Sequence, residues 1–587
     1  MPDSFRKYSS LLLHYLRPQV RSVFFLAIAL FLNIGLQLVG PLVLRNFVDT
    51  VGSTLPVRRM IQLGLLYAGV SFLQQSISLV SIYLSENVGW RATNALRGDL
   101  VEHCLGLEMA FHANHTPGEM IERVDGDVNA LSNFFSQFTI QIFGNMLLLV
   151  GILVVLFTVD WRVGSSITAV IVLTIVILGR LRNLAVPHWT KERQASAELF
   201  GFLEERLNST EDIRANGAEA YILKRFFQFS RELIKRTLKA GMLVNVIVNT
   251  SWIMFSISTV VGMVVAAYLN LEGLISIGTV AMVVYMAGMT SAPLDRLIRQ
   301  LQDIQRAGAS INRVTDLLSI SPKIDERTTL QDPSCLLSAN ALEVRFDQVN
   351  FSYEQAGPPV LEGLSFHLPA GKVLGLLGRT GSGKTTLARL LFRLYDPDSG
   401  AIQLAGHDLR ALTTSELRQK VGLVSQNIQL FHASLRDNLT FFDTSIYDEL
   451  IRDVLADLGL RSWLESLPDG LDTILEAGGG GLSAGEAQLL AFARLFLKHP
   501  GLVILDEATS RLDPATEALL ERAVDRLVQV ATAIIIAHRL GTVERADLIL
   551  ILEDGCVVEF GPRAELAADP DSHFFSLLQT GIEEVLV

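Results

Sequence analysis

A glycine-rich stretch in the C-terminal half of the chain has the residue types and spacing of a loop that binds phosphate groups. Its glycines permit backbone angles that turn successive N–H groups toward a single anion. The lysine near its end would bring a positive charge to the outer phosphates, and the threonine after it would offer a hydroxyl to Mg²⁺. We predict that a nucleotide binds through Gly378, Arg379, Thr380, Gly381, Ser382, Gly383, Lys384, Thr385 and Thr386.

The segments on both sides of this loop have the patterns of a strand and a helix. Residues 372–377 form a short and mostly apolar run, and residues 386–395 carry apolar side chains at helical spacing. This order suits phosphate binding, because the positive end of the helix then faces the anion. The flanking segments therefore support the phosphate-binding interpretation.

Three further apolar runs end in polar residues that suit phosphoryl transfer. These residues are Asp506 with Glu507, His538, and Gln426. Asp506 can hold Mg²⁺ through water, Glu507 can polarise the attacking water, and His538 can contact the terminal phosphate. Because open α/β sheets bind ligands at the carboxyl ends of their strands, we expect these groups to lie beside the phosphate-binding loop. The set predicts hydrolysis of a nucleoside triphosphate with Mg²⁺.

The composition of the chain indicates a membrane protein with two or more domains. Hydrophobic residues make up 50% of the 587 residues and charged residues only 19%, and the mean hydropathy is +0.37. Such a chain is too apolar for an ordinary soluble protein. The formal net charge of -12 argues against a nucleic-acid partner. Cys104, Cys335 and Cys556 are far apart, so we expect isolated thiols.

Six runs without Asp, Glu, Lys or Arg have about the length that crosses a lipid bilayer. They fall at about 23–44, 61–85, 134–159, 163–179, 241–271 and 274–294. Long polar stretches that have helical patterns separate the second run from the third and the fourth from the fifth. Basic residues are in excess in the later stretch, 180–240, which favours a cytoplasmic location. With six spans, both termini and both stretches would then be cytoplasmic in a multi-pass protein of the cell membrane.

The chain therefore divides into a membrane domain, a linker and a nucleotide-binding domain. We predict an all-α domain with six transmembrane helices at 1–318 and a polar linker at 319–341. An α/β P-loop domain would follow at 342–587. It would begin with strands at 342–346 and 349–353, and later strands would alternate with helices.

The C-terminal domain resembles the nucleotide-binding domain of ATP-binding cassette (ABC) transporters. The resemblance covers about 342–575 and includes Leu482 to Glu486, Leu-Ser-Ala-Gly-Glu, which is similar to the family's signature segment. The stretches 116–127 and 202–215 resemble the two cytoplasmic loops of exporters with six spans per chain. The resemblance extends over nearly the whole chain and implies a transport-coupled ATPase.

This resemblance implies roles for individual residues. Tyr353 would stack on the adenine base, for which an aromatic face is suited. Gln426 would contact Mg²⁺ and relay changes to the membrane domain. Ser483 and Gly485 would complete the ATP site of the opposite subunit, and Asp513 would bridge the two sites. Because each ATP would need a second subunit, the resemblance implies a dimer. Short helices near 111–115 and 213–217 would dock on the nucleotide-binding domains.

The signature segment departs from the family pattern, which usually reads Leu-Ser-Gly-Gly-Gln. Ala484 replaces the first glycine and Glu486 replaces the glutamine. The added methyl group and negative charge should both weaken contact with phosphate. Residues 476–481 also lack the usual Gly-Glu-x-Gly order. Because the hydrolytic residues are intact, we expect one subunit of an asymmetric heterodimer. A homodimer that tolerates the variant signature stays open.

The expected function is ATP-driven export of a small amphipathic or hydrophobic compound, such as a drug, lipid or peptide, by alternating access. Two other functions fit the same motifs. One is an importer built on the exporter fold, as in siderophore uptake, and the other is a membrane-bound ATP-dependent sensor or regulator without substrate flux. The direction of transport in vesicles distinguishes the importer, and the absence of flux distinguishes the regulator.

Overall fold

The computed structural model describes residues 13–51, 57–137, 142–322, 341–353, 357–425, 428–506, 514–537 and 543–580. It forms two compact units. The first combines Met1–Leu105 with Pro117–Ile320, and the second combines Gly106–Thr116 with Ser321–Val587. A short segment from the membrane half of the sequence therefore groups with the C-terminal half.

The N-terminal half contains helices and no strands among the described residues, which confirms the all-α class of the predicted membrane domain. In chain order the helices are α1 (Val20–Val51), α2 (Val57–Gly106), α3 (Met109–Asn114), α4 (Pro117–Ile121), α5 (Val128–Gln137), α6 (Asn145–Val159), α7 (Trp161–Asn208), α8 (Thr210–Ala215), α9 (Glu219–Leu271), α10 (Ile277–Met289) and α11 (Ser291–Ser319). A π-helical segment, Glu122–Asp127, joins α4 to α5.

Six helices of the described residues are long and apolar enough to cross a membrane. They are Leu13–Val51, Val57–Gly106, Ile142–Val159, Trp161–Asn208, Glu219–Leu271 and Ile277–Leu297. Helices α2, α7 and α9 have 50, 48 and 53 residues, whereas about 20 residues span the apolar part of a bilayer. These three helices therefore continue far beyond the apolar layer. Residues 138–141, within the predicted third span, lie outside the described residues.

A polar contact joins the end of α1 to the start of α10. Asp49 accepts hydrogen bonds from Ser276 Oγ at 2.7 Å and from the backbone N–H of Gly278 at 2.8 Å. A Cβ atom at Gly278 would lie 2.2 Å from the carbonyl oxygen of Arg45, so this approach requires glycine. The carboxylate thus satisfies a donor at the N-terminus of α10 and fixes the two helices together.

An ion pair with a buried carboxylate fixes α11 to the π-helical segment. The Asp127 side chain is buried and accepts hydrogen bonds from Ser310 Oγ at 2.8 Å and from Arg313 Nε at 2.9 Å. Removing Arg313, whose side chain is 48% exposed, would leave the buried Asp127 carboxylate without its ionic partner and destabilise this contact. The pair therefore holds the helix that leads out of the membrane domain in a defined position.

The C-terminal half contains two sheets. Its strands are β1 (Val344–Phe351), β2 (Leu361–Leu368), β3 (Val373–Leu377), β4 (Ser399–Leu404), β5 (His407–Asp408), β6 (Val421–Val424), β7 (Leu502–Asp506), β8 (Thr532–Ile536), β9 (Leu548–Glu553) and β10 (Cys556–Pro562). Its helices are α12 (Lys384–Leu391), α13 (Thr414–Lys420), α14 (Leu435–Thr440), α15 (Asp448–Asp457), α16 (Arg461–Ser466), α17 (Ala484–Lys498), α18 (Pro514–Val530), α19 (Arg563–Leu566) and α20 (His573–Thr580). The alternation of strands and helices confirms the predicted α/β class.

One antiparallel sheet has the order β2-β1-β4-β5, and the other has the order β10-β9-β3-β8-β7-β6. In the second sheet the pairs β9-β3, β3-β8, β8-β7 and β7-β6 are parallel. All residues of β3 and β8 are buried, as expected for strands covered on both faces. The carboxyl ends of β3, β8, β7 and β6 therefore meet at one edge of the sheet.

The start of this domain differs from the prediction. The runs 342–346 and 349–353 were expected to be two strands, but a single strand, β1, joins them and covers most of each, from Val344 to Phe351. Its register with β2 is interrupted between Phe346 and Val349, and Gln348 there has a φ of 48°. A bulge of this kind keeps one strand continuous across a break in the apolar pattern.

Candidate functional site

The glycine-rich loop follows β3 directly and ends where α12 begins. Gly378 and Gly383 have φ values of 146° and 102°, which favour glycine over residues with a side chain. A Cβ atom would lie 2.2 Å from the Leu552 carbonyl oxygen at the first position and 2.6 Å from Leu361 Cδ2 at the second. The predicted strand-loop-helix arrangement is therefore present, with a tightly packed backbone.

Lys384 folds back over this loop. Its side chain is buried, and Nζ donates hydrogen bonds to the carbonyl oxygens of Gly378 at 2.6 Å and Arg379 at 2.9 Å. The neighbouring Ser382 Oγ is buried and has no hydrogen-bond partner among the described residues. An unsatisfied buried hydroxyl beside a buried ammonium group suits a phosphate oxygen, so these residues fit a nucleotide phosphate.

A cavity of about 460 Å³ lies at this loop. Its lining combines Tyr353, the loop and the carboxyl ends of two strands, through Val360, Thr380, Gly381, Gly383, Lys384, Thr385, Thr386, Asp506 and Ile536. The fold thus brings Tyr353 and Asp506, which are far apart in the sequence, to the predicted phosphate-binding residues. Asp506 ends β7, and this position suits a carboxylate that holds Mg²⁺ beside phosphate.

Four predicted residues lie outside the described residues: Gln426, Glu507, Asp513 and His538. The structure does describe the strands that precede three of them. Glu507 directly follows the last residue of β7, while Gln426 and His538 come two residues after the ends of β6 and β8. Because β6, β7 and β8 are adjacent and parallel, the strand ends that precede these three residues share one edge of the sheet. The roles of all four residues stay predictions, since the structure does not describe them.

Tyr353 contacts Thr386, which was predicted to belong to the site, and three residues that were not: Phe351, Arg389 and Tyr395. Its hydroxyl lies 3.0 Å from Thr386 Oγ1 and accepts a hydrogen bond from Arg389 Nη1 at 3.0 Å. Its ring makes edge contacts with Phe351 and Tyr395. Burial raises the pKa of Tyr395 above its ordinary value, and the charge of Arg389 opposes this effect. Helical spacing of three residues from Thr386 could have indicated Arg389, but the aromatic contacts depend on the fold.

The signature segment forms the N-terminus of α17 and does not line the cavity. Ser483 is the N-cap: its Oγ accepts a hydrogen bond from the Glu486 N–H at 3.2 Å, and its own N–H donates to Glu486 Oε2 at 2.7 Å. This is a capping box, a reciprocal arrangement that stabilises helix starts. A Cβ atom at Gly485 would lie 2.3 Å from Thr516 Cγ2, so α18 packs closely there.

The two short helices predicted to dock on the nucleotide-binding domains are present as α3 and α8, a few residues earlier than expected. Helix α3 belongs to the C-terminal unit, whereas α8 belongs to the membrane unit. Most residues of α8 are exposed. Docking itself stays a prediction.

Comparison with known families finds two matching models. Residues 23–294 match the ABC transporter transmembrane region, and residues 361–510 match the ABC transporter model. The first match spans the predicted membrane helices. The second includes the phosphate-binding loop, the signature segment and the carboxylates at the end of β7.

Two relatives and one solved structure resemble the whole chain. The ABC transporter ATP-binding protein YfiC of Bacillus subtilis is 31% identical over 542 residues, which cover 90% of this chain and 87% of YfiC. The ATP-dependent lipid A-core flippase of Salmonella typhimurium is 29% identical over 548 residues, 92% of each chain. The structure of a bacterial Atm1-family ABC exporter with ATP bound has a TM-score of 0.80 at 23% identity, and the match covers 96% of this chain and 98% of that one. The last likeness shows a common fold.

Proposed function

Because the chain belongs to the ABC transporter family and unites a transmembrane region with an ATPase domain, we propose that it exports a small amphipathic or hydrophobic compound by alternating access. The observation that carries this proposal is the presence of the phosphate-binding cavity and six apolar helices in one chain. The name of the Salmonella relative, a lipid A-core flippase, supports lipid-like substrates, while drugs and peptides have similar apolar character.

Within the ATP site we assign binding to the glycine-rich loop and catalysis to the strand ends. Lys384 and the loop N–H groups would bind the β- and γ-phosphates, and Glu507 would orient the attacking water. Thr385, Asp506 and Gln426 would hold Mg²⁺, which neutralises phosphate charge when bound. The position of Thr385 and Asp506 on one cavity wall supports this assignment.

We further propose that the working transporter is a dimer, with a heterodimer favoured. In the described residues Ser483 and Gly485 do not line the cavity of their own chain, so a second subunit must complete each site if they contact ATP. This chain would supply an intact hydrolytic half. The partner's ATP would face the variant signature and turn over slowly. A stable, fully active homodimer of the chain alone would contradict the heterodimer.

The positive charge of the 180–240 stretch supports a cytoplasmic location for the nucleotide-binding domain. In vesicles with that domain outside, an exporter should accumulate a fluorescent phospholipid or a neutral amphipathic dye in the lumen or inner leaflet when ATP is added. ATP-dependent loss from the lumen would indicate an importer. ATP hydrolysis without movement of any probe would indicate a regulator and contradict the export proposal.

The capping box makes Glu486→Gln a sharp test of the variant signature. Glutamine also serves at this position of a capping box, so the change removes the negative charge while the helix start is kept. Unit charges about 4 Å apart in water interact by ~1 kcal/mol, which is about fivefold in affinity. We expect the assembled transporter to bind ATP about fivefold more tightly at the site facing this signature, as measured by nucleotide titration.

The control for this experiment is Glu486→Ala, which removes the charge and the side-chain bond of the box but keeps the bond from the backbone N–H of residue 486 to Ser483 Oγ. It should tighten ATP binding less and lower the thermal stability, because losing a cap interaction costs about 1 kcal/mol. Unchanged ATP affinity in Glu486→Gln would show that the carboxylate, held by the Ser483 N–H, does not repel phosphate.

A further inference from the structure

Three aromatic rings pack together beside the phosphate-binding loop. The centroid of the Tyr353 ring lies 5.0 Å from that of Phe351 and 5.2 Å from that of Tyr395, and Phe351 and Tyr395 are 5.5 Å apart. The Tyr353 ring is nearly perpendicular to both neighbours, at 83° and 86°. Edge-to-face contacts of this kind are favourable and restrict the plane of each ring. The apolar side of Tyr353 is therefore held in place.

The hydroxyl end of Tyr353 is held by polar contacts with α12. Arg389 Nη1 donates to the hydroxyl at 3.0 Å, and the guanidinium carbon lies 5.8 Å from the ring centroid. Thr386 Oγ1, on the same helix, lies 3.0 Å from the hydroxyl. Since α12 starts at Lys384, these contacts tie the aromatic ring to the helix that carries the phosphate-binding lysine.

Tyr353 would bind a base only if its ring presents a free face in a fixed orientation. Tyr353 is still 37% exposed, and it lines the cavity together with the loop. A ring that is ordered before the ligand arrives binds more tightly, because no conformational freedom is lost on binding. Arg389, exposed and long, has no partner of opposite charge in any contact described for it; its hydrogen bond goes to Tyr353.

We propose that Arg389 is a positioning residue of the nucleotide site: it holds the Tyr353 ring in the orientation that stacks on the base. The inference rests on the proposed binding of ATP at the glycine-rich loop and adds a residue that determines base affinity. Stacking on an aromatic ring tolerates every base. The contribution of Arg389 is therefore equal for ATP and GTP and absent for a ligand without a base.

The test measures steady-state hydrolysis by the purified transporter with Arg389→Met, which keeps a long side chain but removes the donors. We expect the KM for ATP and for GTP to rise about fivefold with kcat unchanged, as for the loss of a preorganised contact. Inorganic tripolyphosphate, which has no base, should inhibit both proteins equally. Arg389→Lys retains a donor and should restore part of the affinity. Arg345→Met, on an exposed position of β1, is the surface control.

A double-mutant cycle with Tyr353→Phe separates positioning from direct phosphate contact. If Arg389 acts through the Tyr353 hydroxyl, its replacement should have little further effect on KM once that hydroxyl is gone. Equal losses of affinity for ATP and tripolyphosphate would overturn the proposal, because they would make Arg389 a phosphate ligand. An unchanged KM in Arg389→Met would also overturn it. If the wild-type protein failed to hydrolyse ATP, the proposed function itself would be wrong.

Discussion

Replacing Lys384 by alanine should reduce ATP hydrolysis by about 100-fold or more, because this side chain supplies the one buried cation described in the cavity lining. Its ammonium group lies 2.6 Å and 2.9 Å from the carbonyl oxygens of Gly378 and Arg379. The group is thus positioned at the loop before ATP arrives. Alanine would remove both the charge for the phosphates and the bonds that fix the loop.

Two variants make this prediction specific. Lys384→Arg keeps the charge, but a planar guanidinium cannot occupy the space of a compact ammonium group with the same contacts, so it should also be impaired. Lys372→Ala is the matched control. Lys372 is 53% exposed and pairs with Asp547 at 2.9 Å, and an exposed pair of this type contributes ~1 kcal/mol or less. Hydrolysis by Lys384→Ala within threefold of the wild type would contradict the assignment.

Replacing Glu507 by glutamine should lower kcat for ATP hydrolysis by about 100-fold to 10,000-fold while ATP binding is retained. General-base residues contribute roughly this factor. Glutamine has nearly the same shape as glutamate but cannot accept the proton of the attacking water. Glu507 itself lies outside the described residues. The preceding residue, Asp506, ends β7 and lines the cavity, and this position of Asp506 supports the assignment of Glu507 to the site.

The readouts for Glu507→Gln are single-turnover hydrolysis and ATP binding by the assembled transporter. Bound ATP should persist without conversion to ADP. Glu553→Gln, an exposed residue at the end of β9 in the same sheet, is the control and should hydrolyse ATP normally. Near-wild-type turnover by Glu507→Gln would show that another group activates the water. Loss of ATP binding together with hydrolysis would instead indicate a structural role.

The same sheet edge shows how far local sequence could predict the site. The glycine-rich loop is recognisable because all of its determinants lie within nine residues, 378–386. The strand ends could be assigned because parallel strands share one carboxyl edge, and the observed order of β3, β8, β7 and β6 agrees. The position of Tyr353 followed only from family resemblance. Its approach to the loop depends on pairing between distant strands.

Two features were predicted incompletely because side-chain contacts decide them. The negative charge of Glu486 was expected only to repel phosphate, yet its carboxylate accepts a hydrogen bond from the Ser483 N–H and stabilises the start of α17. Arg389 was not assigned to the site, although one helical turn brings it from the loop to the Tyr353 hydroxyl. Neither contact follows from residue type and spacing alone.

The sequence by itself determined the class of this protein. Two local features are sufficient for this: charge-free runs about as long as a bilayer is thick, and a phosphate-binding loop of fixed spacing. Both depend only on residues that are near one another in the sequence. The tertiary structure decided which distant residues meet. It placed Arg389 and Tyr395 against Tyr353, and Asp127 against Arg313. It also grouped the segment 106–116 with the C-terminal unit. Such contacts depend on how strands and helices pack, and packing is set by the whole chain at once.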